Sequence, residues 1–190
     1  MPKNIKITKD NILDVAFSIA REKGINAVSN REIAKRLECS IRPIYYQFKN
    51  VDELNSELYE RIESYFYKFI MDNIVERIPK YKQSGVNYVR FAREEKNLFK
   101  ILFMSGSDSF MEEFITKDKQ NFDELAKIIK LSTKLDDEEA LGFHAKMWIF
   151  THGIATLAAT NTIKFSDEQI GDLLTYEFNA LLKMEKEEKK

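Results

Sequence analysis

Ser29-Asn30-Arg31-Glu32-Ile33-Ala34-Lys35-Arg36-Leu37-Glu38-Cys39-Ser40-Ile41-Arg42-Pro43-Ile44-Tyr45-Tyr46-Gln47-Phe48-Lys49-Asn50-Val51-Asp52-Glu53-Leu54 packs three helix starts into one short run. Ser29 with Glu32 reads as a capping box, in which the serine oxygen accepts a free backbone N–H and the glutamate reaches back. Ser40 is a second N-cap of the kind that satisfies a first-turn donor. Asn50 with Glu53 is a third. Ile33, Ala34 and Leu37 share one face of the first short helix, and Ile44 and Phe48 one face of the second. Two short helices joined by a tight turn outline a helix-turn-helix.

The outer face of the second helix decides what that unit is for. It carries Arg42, Tyr45, Tyr46 and Lys49, with Ile41 and Pro43 at its start. A helix that needs only solubility more often shows Glu and Lys. Guanidinium, ammonium, phenolic hydroxyls and aromatic planes together suit phosphates and base edges. For one tyrosine alone, packing against a neighbouring helix is the better reading. The combination, behind a capped helix and a turn, favours nucleic acid.

Outward from this stretch, the 190-residue chain has the length of one large domain or two small ones. Its 44% hydrophobic and 32% charged residues are an ordinary globular balance. Fourteen Phe and eight Tyr supply a large core, and only six Gly and three Pro favour helices with short connections. The lone Cys39 excludes an internal disulfide and multi-cysteine zinc patterns, and is compatible with a reducing cytoplasm, the expected location. No apolar run is long enough to span a bilayer and no secretory leader is evident. Charge is unevenly placed: residues 1–50 hold ten Lys and Arg against five Asp and Glu, while residues 51–190 hold twenty against twenty-six. A basic front on an acidic body places an electrostatic footprint for phosphate in the N-terminal third.

In chain order, residues 1–8 read as a loose arm, with lysines at positions 3 and 6. Thr8 caps a first helix over about Lys9–Lys23, with Ile12, Leu13, Ala16, Phe17, Ile19 and Ala20 as its stripe and Gly24 as its stop. A longer helix runs from Asn50 to about Val75, its broad apolar face including Leu54, Leu58, Ile62, Phe66 and Phe69, and Pro79 ends or interrupts it. Further helical patterns follow Gly85 and Asn97. Ser105-Gly106-Ser107-Asp108-Ser109 is the clearest loop, and short amphipathic segments cover Phe110–Ile115 and Phe122–Leu131. Asp136-Asp137-Glu138-Glu139 opens the most apolar helix, Ala140–Ala159, where carboxylates complement the dipole. That helix is hydrophobic nearly all round and must be covered all round. Ser166 with Gln169 caps a last amphipathic helix to about Leu182. The expected fold is all-α.

These residues resemble the TetR family of bacterial transcriptional regulators, most strongly from Ile12 to Leu58. The first helix, Gly24, the Ser29 start, Ile33-Ala34 and the run Ile44-Tyr45-Tyr46-Gln47-Phe48-Lys49-Asn50 follow its order and spacing. The helix with Trp148 and His152-Gly153, plus the final helix, looks like the family's dimerisation pair. Two positions depart: Glu38 stands where the turn usually has Gly, and Val51 where a phosphate-touching lysine is common.

The resemblance implies a helix-turn-helix DNA-binding domain over residues 1–50 and a helical ligand-binding and dimerisation domain over residues 51–190, bridged by the helix from about 51 to 75. It implies that the Ser40 helix enters a major groove. Arg42 then reads a guanine or positions on phosphate. Ile41 and Pro43 meet thymine methyls, Tyr45 and Lys49 phosphates, and Tyr46 a phosphate or a base. Ser29 and Asn30 hold another phosphate. It further implies a palindromic double-stranded operator bound by a homodimer formed through Ala140–Ala159 and Ser166–Leu182. Repression is the family's common mode. Together with the aromatic surplus, it implies a cavity for a hydrophobic small molecule, with candidate walls Phe66, Phe69, Tyr88, Phe91, Phe103, Phe110, Met111, Phe114, Met147, Trp148 and Thr151. For most of these positions taken singly, ordinary core is the competing reading.

An enzyme is disfavoured, since no Gly-rich phosphate loop, nucleophile elbow or metal spacing occurs, and no cofactor or metal is expected. His144 and His152, eight apart on one helix and offset by about 80°, cannot chelate one ion as a pair and read as buried, hydrogen-bonded histidines. The alternative within the family is a protein acting mainly through protein partners. The intact Arg42, Tyr45, Tyr46 and Lys49 face speaks against it.

Overall fold

The computed structural model describes residues 7–72, 78–104 and 127–187, without the Asp72 side chain. Among these the regular structure is helical and no strand occurs. Residues 1–6 of the expected arm, the Ser105–Ser109 loop, the Phe110–Ile115 segment, the beginning of the Phe122–Leu131 helix and the end of the long helix near Val75 lie outside the described residues. The helices are α1 Lys9–Lys23, α2 Asn30–Arg36, α3 Arg42–Gln47, α4 Val51–Asp72, α5 Lys80–Glu94, α6 Lys96–Phe103, α7 Asp137–Ala159 and α8 Asp167–Glu187. Residues 127–133 are also helical. A single turn of 3-10 helix, Ile25–Ala27, links α1 to α2.

The chain forms two compact units. One is Met1–Tyr67 with Asn97–Ser105, the other Lys68–Lys96 with Gly106–Lys190. The first unit thus extends past residue 50 to take in most of α4 and α6. Thr8 and Asn11 close a capping box at the start of α1, and Gly24, at φ 84°, ends it with its N–H donating to the Ala20 carbonyl. Asn97 at the start of α6 donates its side-chain N–H to the Arg21 carbonyl at 2.9 Å, satisfying an acceptor the helix end leaves open. The apolar stripes meet as expected from their spacing: Ile12, Ala16, Ile19 and Ala20 are fully buried, as are Ile33, Leu54, Leu58, Ile62 and Phe66. Between helices, Arg61 of α4 pairs with Asp14 and Lys9 of α1 pairs with Glu57.

The second unit is built on α5, α7 and α8. A Cβ on Gly85 would lie 2.9 Å from Leu174 Cδ1, and one on Gly171 2.9 Å from Lys82 Cε, so α5 and α8 approach closely where both lack side chains. Phe178 of α8 sits edge-on to Phe143 of α7 at 5.2 Å. Arg90 and Arg93 converge on Asp167 at 2.7 and 2.9 Å, fixing the start of α8. Asp136 and Glu139 form the full capping box at the head of α7, and Ser166 with Gln169 exchange the same two bonds before α8.

The coat of α7 is incomplete. Phe143, Met147, Trp148, Ile154 and Ala155 are buried, but Leu141, Leu157 and above all Ile149, 66% exposed, face outward. Cβ atoms at Gly142 and Gly153 would meet nothing within 4 Å. Tyr176 and Met184 of α8 are exposed as well.

Candidate nucleic-acid interface

The interface starts at the Ser29 cap. Ser29 Oγ accepts the Glu32 N–H at 3.2 Å, as the capping reading requires. Glu32 does not complete the box: its carboxylate turns to Lys23 at 3.2 Å and Arg36 at 3.7 Å. An ion pair with two cations outcompetes one backbone donor here. The hydroxyl hydrogen of Ser29 remains available to an acceptor.

At the other end of α2 the chain makes a Schellman turn. Cys39 N–H donates to the Ala34 carbonyl at 3.0 Å and Glu38 N–H to the Lys35 carbonyl at 3.2 Å. This bond pattern puts Glu38 in the left-handed region, at φ 51°. The expected Ser40 cap is not what starts α3. Ile41 occupies the N-cap with φ −72° and ψ −14°, no side-chain cap hydrogen bond is made, and Pro43 sits in the first turn. The proline removes one of the N–H groups a cap would serve, and its fixed φ suits a helix start, so the serine is not needed there. Ser40 is left exposed in the turn.

On α3, Ile44 and the following Phe48 are buried while Ile41, Tyr45 and Tyr46 are exposed, Tyr46 to 83%. Arg42 and Lys49 are exposed too, Pro43 is half-buried, and so is Asn30 at the head of α2. Lys9 of α1 lies over the Phe48 ring at 5.0 Å, holding the end of α3 from beneath. Asn50 Oδ1 accepts the Glu53 N–H at 2.8 Å, and Glu53 Oε2 accepts the Lys49 N–H at 2.6 Å, which fixes the junction of Lys49 with α4. Val51 opens α4 exposed and without a polar group.

Cations in this unit divide into two sets. Arg36 is bound in parallel by Glu22, at 3.0 and 2.7 Å, and also donates to Ser18. Its hydrogen bonds hold the Glu22 carboxyl down to about 2. Lys9, Lys23 and Arg61 are likewise paired. Arg31, Lys35, Arg42 and Lys49 are exposed and form no ion pair among the described residues. Arg31 and Lys35 were not among the sequence candidates, although a signal existed. They are like charges at i and i+4 on one helix, a pairing that costs a few tenths of a kcal/mol and that a nearby anion relieves.

The aromatic candidates for an effector site divide between the two units. Phe66 and Phe103 belong to the first, edge-on at 5.2 Å, with Phe66 fully buried. Phe69 and Phe91 form a similar pair at 5.3 Å in the second. There also lie Tyr88, Met147, Trp148 and Thr151, all buried, Thr151 donating to the Met147 carbonyl at 2.7 Å. Phe110, Met111 and Phe114 are outside the described residues.

Both histidines meet a tyrosine of α5. Tyr81 OH is 3.0 Å from His144 Nδ1 and Tyr88 OH 2.9 Å from His152 Nδ1. A neutral imidazole carrying its proton on Nε2 accepts the phenolic O–H in each case. Burial pushes His144 down to about 4, lowers His152, and raises both tyrosines. Trp148 stacks on His152 at 4.8 Å. Among the described residues no group of His, Cys, Asp and Glu is placed to hold a metal ion, and no helix is long and apolar enough to cross a membrane.

Residues 12–58 match the bacterial regulatory proteins of the tetR family, and residues 82–181 match the tetracyclin repressor-like C-terminal domain. The HTH-type transcriptional regulator AcrR of Shigella flexneri is 39% identical over 57 residues, 30% of this chain and 26% of that one. A TetR-family transcriptional regulator of Haemophilus influenzae superposes with a TM-score of 0.63 at 18% identity, covering 90% of this chain and 94% of its own. The TetR family protein ActR of Streptomyces coelicolor, solved in complex with (S)-DNPA, superposes at 0.56 with 18% identity over 93% of this chain and 98% of its own. At these identities the superpositions speak for the fold.

Proposed function

This chain belongs to the TetR family of bacterial transcriptional regulators, and from that premise we propose that it is a ligand-responsive repressor binding a palindromic operator as a homodimer. The observation that carries the DNA half is the outer face of α2 and α3, where four exposed cations form no ion pair among the described residues and two exposed tyrosines stand beside them. A solvated helix face in a chain with 31 Asp and Glu residues would find partners for some of those cations. A phosphate-binding face must keep them free.

In this reading α3 enters the major groove. Arg42 reads a base and Ile41 and Pro43 meet methyl groups. Tyr45, Lys49 and Ser29 position on phosphate, with Arg31 and Lys35 added to that set. Asn30 and Ser40 flank the backbone, and Tyr46 reaches a phosphate or base. Two copies are needed because one such unit reads only a half-site, and half-sites fall about 34–36 Å apart. The uncovered side of α7, with Ile149, Gly153 and Leu157, and the exposed Tyr176 and Met184 of α8 support a four-helix contact with a second copy. Small-molecule control is supported by the ligand carried by ActR and by the aromatic second unit. Lys68–Asp72 of α4 belong to that unit and Val51–Tyr67 to the DNA unit, so a ligand that favours one position of the last turn changes the spacing of the two reading helices.

Selection of bound sequences from random DNA should return a palindrome. Arg42→Ala should then lose about 1–3 kcal/mol of binding and relax preference at one base pair per half-site. Equal loss on every sequence would reassign Arg42 to phosphate. Failure of the wild-type chain to select any sequence would refute the DNA-reading function.

A further inference from the structure

Within the second unit a chain of side-chain amides ends on an unmatched atom. Asn87 Nδ2 donates to the Ile70 carbonyl in the last turn of α4 at 2.8 Å. That bond orients the amide, so Asn87 Oδ1 faces the other way and accepts from Gln83 Nε2 at 3.1 Å. Gln83 in turn can present only Oε1 at the far end, and this atom is buried without a hydrogen-bond partner among the described residues. Neither amide can flip without setting a donor against a donor or a carbonyl against a carbonyl. Gln83 is 6% exposed and Asn87 fully buried, so bulk water does not relieve the mismatch. A buried acceptor left open is costly, and a natural chain keeps one where something else fills it.

We propose that Gln83 Oε1 is the polar anchor of the effector site, and that the effector is an apolar molecule presenting one hydroxyl or N–H donor to it. The inference rests on the ligand-responsive reading above and names the chemistry of that ligand. An acceptor oxygen rejects a carboxylate or phosphate at this point, and among the described residues no Lys or Arg is buried to neutralise one. Asn87 and Phe91 follow Gln83 at steps of four along α5, with Phe91 fully buried and edge-on to Phe69, so the face that carries Gln83 continues in aromatic side chains. The anchor also acts on α4. A donor at Oε1 polarises the Gln83 amide, strengthens its bond to Asn87 and, through Asn87, the bond to the Ile70 carbonyl.

The test uses the full chain and three matched probe pairs that differ in one donor: phenol and anisole, 1-naphthol and 1-methoxynaphthalene, 1-decanol and its methyl ether. Affinity is measured by calorimetry and by thermal shift. At least one alcohol should bind about tenfold more tightly than its ether, the worth of one buried hydrogen bond. Gln83→Met should bring the two to equal affinity while retaining the ether's. Gln83→Leu serves if the methionine variant does not fold. Equal binding of alcohol and ether by the wild-type chain, or a difference that survives in the variant, overturns the anchor and leaves ligand control standing. The first of these is also the outcome if a fixed water already serves Oε1. Absence of binding by all six probes at millimolar concentration overturns the anchor together with the apolar site it needs.

Discussion

Replacing Glu38 with glycine should stabilise the protein. Glu38 is the left-handed residue of the turn between α2 and α3, at φ 51°, and its side chain forms no hydrogen bond or ion pair among the described residues. A residue with a Cβ in that region costs about 1–2 kcal/mol. Glycine removes the clash but gives the unfolded chain more freedom, which offsets about 0.4–1 kcal/mol. The two Schellman hydrogen bonds are made by backbone and survive the change. The balance is a gain of about 0.5–1 kcal/mol, or about 1–4 °C in Tm for a chain of this length. Thermal unfolding followed by circular dichroism, without DNA, measures it. Glu38→Ala is the control, since it removes the carboxylate and keeps the Cβ. A lowered Tm for the glycine variant, or an equal rise for the alanine variant, would refute the reasoning: the first shows the turn is unstrained, the second that charge and not φ is responsible.

Acid should destabilise the second unit before it titrates surface carboxylates. His144 is held at about 4 by burial against an ordinary 6.5, so between those values the unfolded chain takes a proton that the folded chain refuses. Stability is then complete above 6.5 and falls as pH drops towards 4. Denaturant midpoints at several pH values should show that slope, flattened in His144→Gln, and an unchanged slope in the variant would exclude the histidine. The two close-approach glycines should respond unequally. Gly85→Ala forces a methyl against Leu174, itself buried in the core, and should cost about 1–3 kcal/mol, whereas Gly171→Ala crowds the flexible end of Lys82 and meets Val86 Cγ2 at an ordinary 3.9 Å, and should be near neutral in the same unfolding assay. Ile149→Arg should dissociate the proposed dimer, read as a halved mass by light scattering at micromolar concentration while the helical signal is kept. A monomeric wild-type chain would remove the premise.

The helices and their starts were legible because their signals are local. Thr8, Ser29, Asp136 and Ser166 cap the helices that follow them, and Gly24 ends α1, each within one turn of the residues that define it. Ser40 misled for a related reason: it is a good cap by type, but Pro43 three residues on changes what the first turn needs. Glu32 could not be assigned from its own neighbourhood, since its partner Lys23 lies on another helix. The same holds for Phe66 and Phe103. Residues 97–103 return to the first unit after an intervening helix of the second, and no local period announces that return. The DNA face proposed on α3 rests on residue types, which the sequence shows directly. On α2 the proposal depends on which cations find carboxylates, which follows from packing: Arg36 reaches Glu22 on α1, while Lys35, next to it in sequence, forms no ion pair among the described residues.

This sorting of cations sets how many counterions leave the DNA when the protein arrives. Lys9, Lys23, Arg36 and Arg61 are already neutralised by Glu57, Glu32, Glu22 and Asp14, and each would have to exchange a carboxylate for a phosphate. Arg31, Lys35, Arg42 and Lys49, which form no ion pair among the described residues, would have no carboxylate to give up in the proposed contacts. Two copies would bring about eight such groups to the operator, and at roughly −0.9 per phosphate the logarithm of affinity falls with a slope of about −7 against that of salt concentration. Affinity would drop by about 10³–10⁵ between 50 and 200 mM salt. A DNA-binding regulator built this way would report the ionic strength of its surroundings, and the carboxylates that pair the other cations would keep that response from being steeper still.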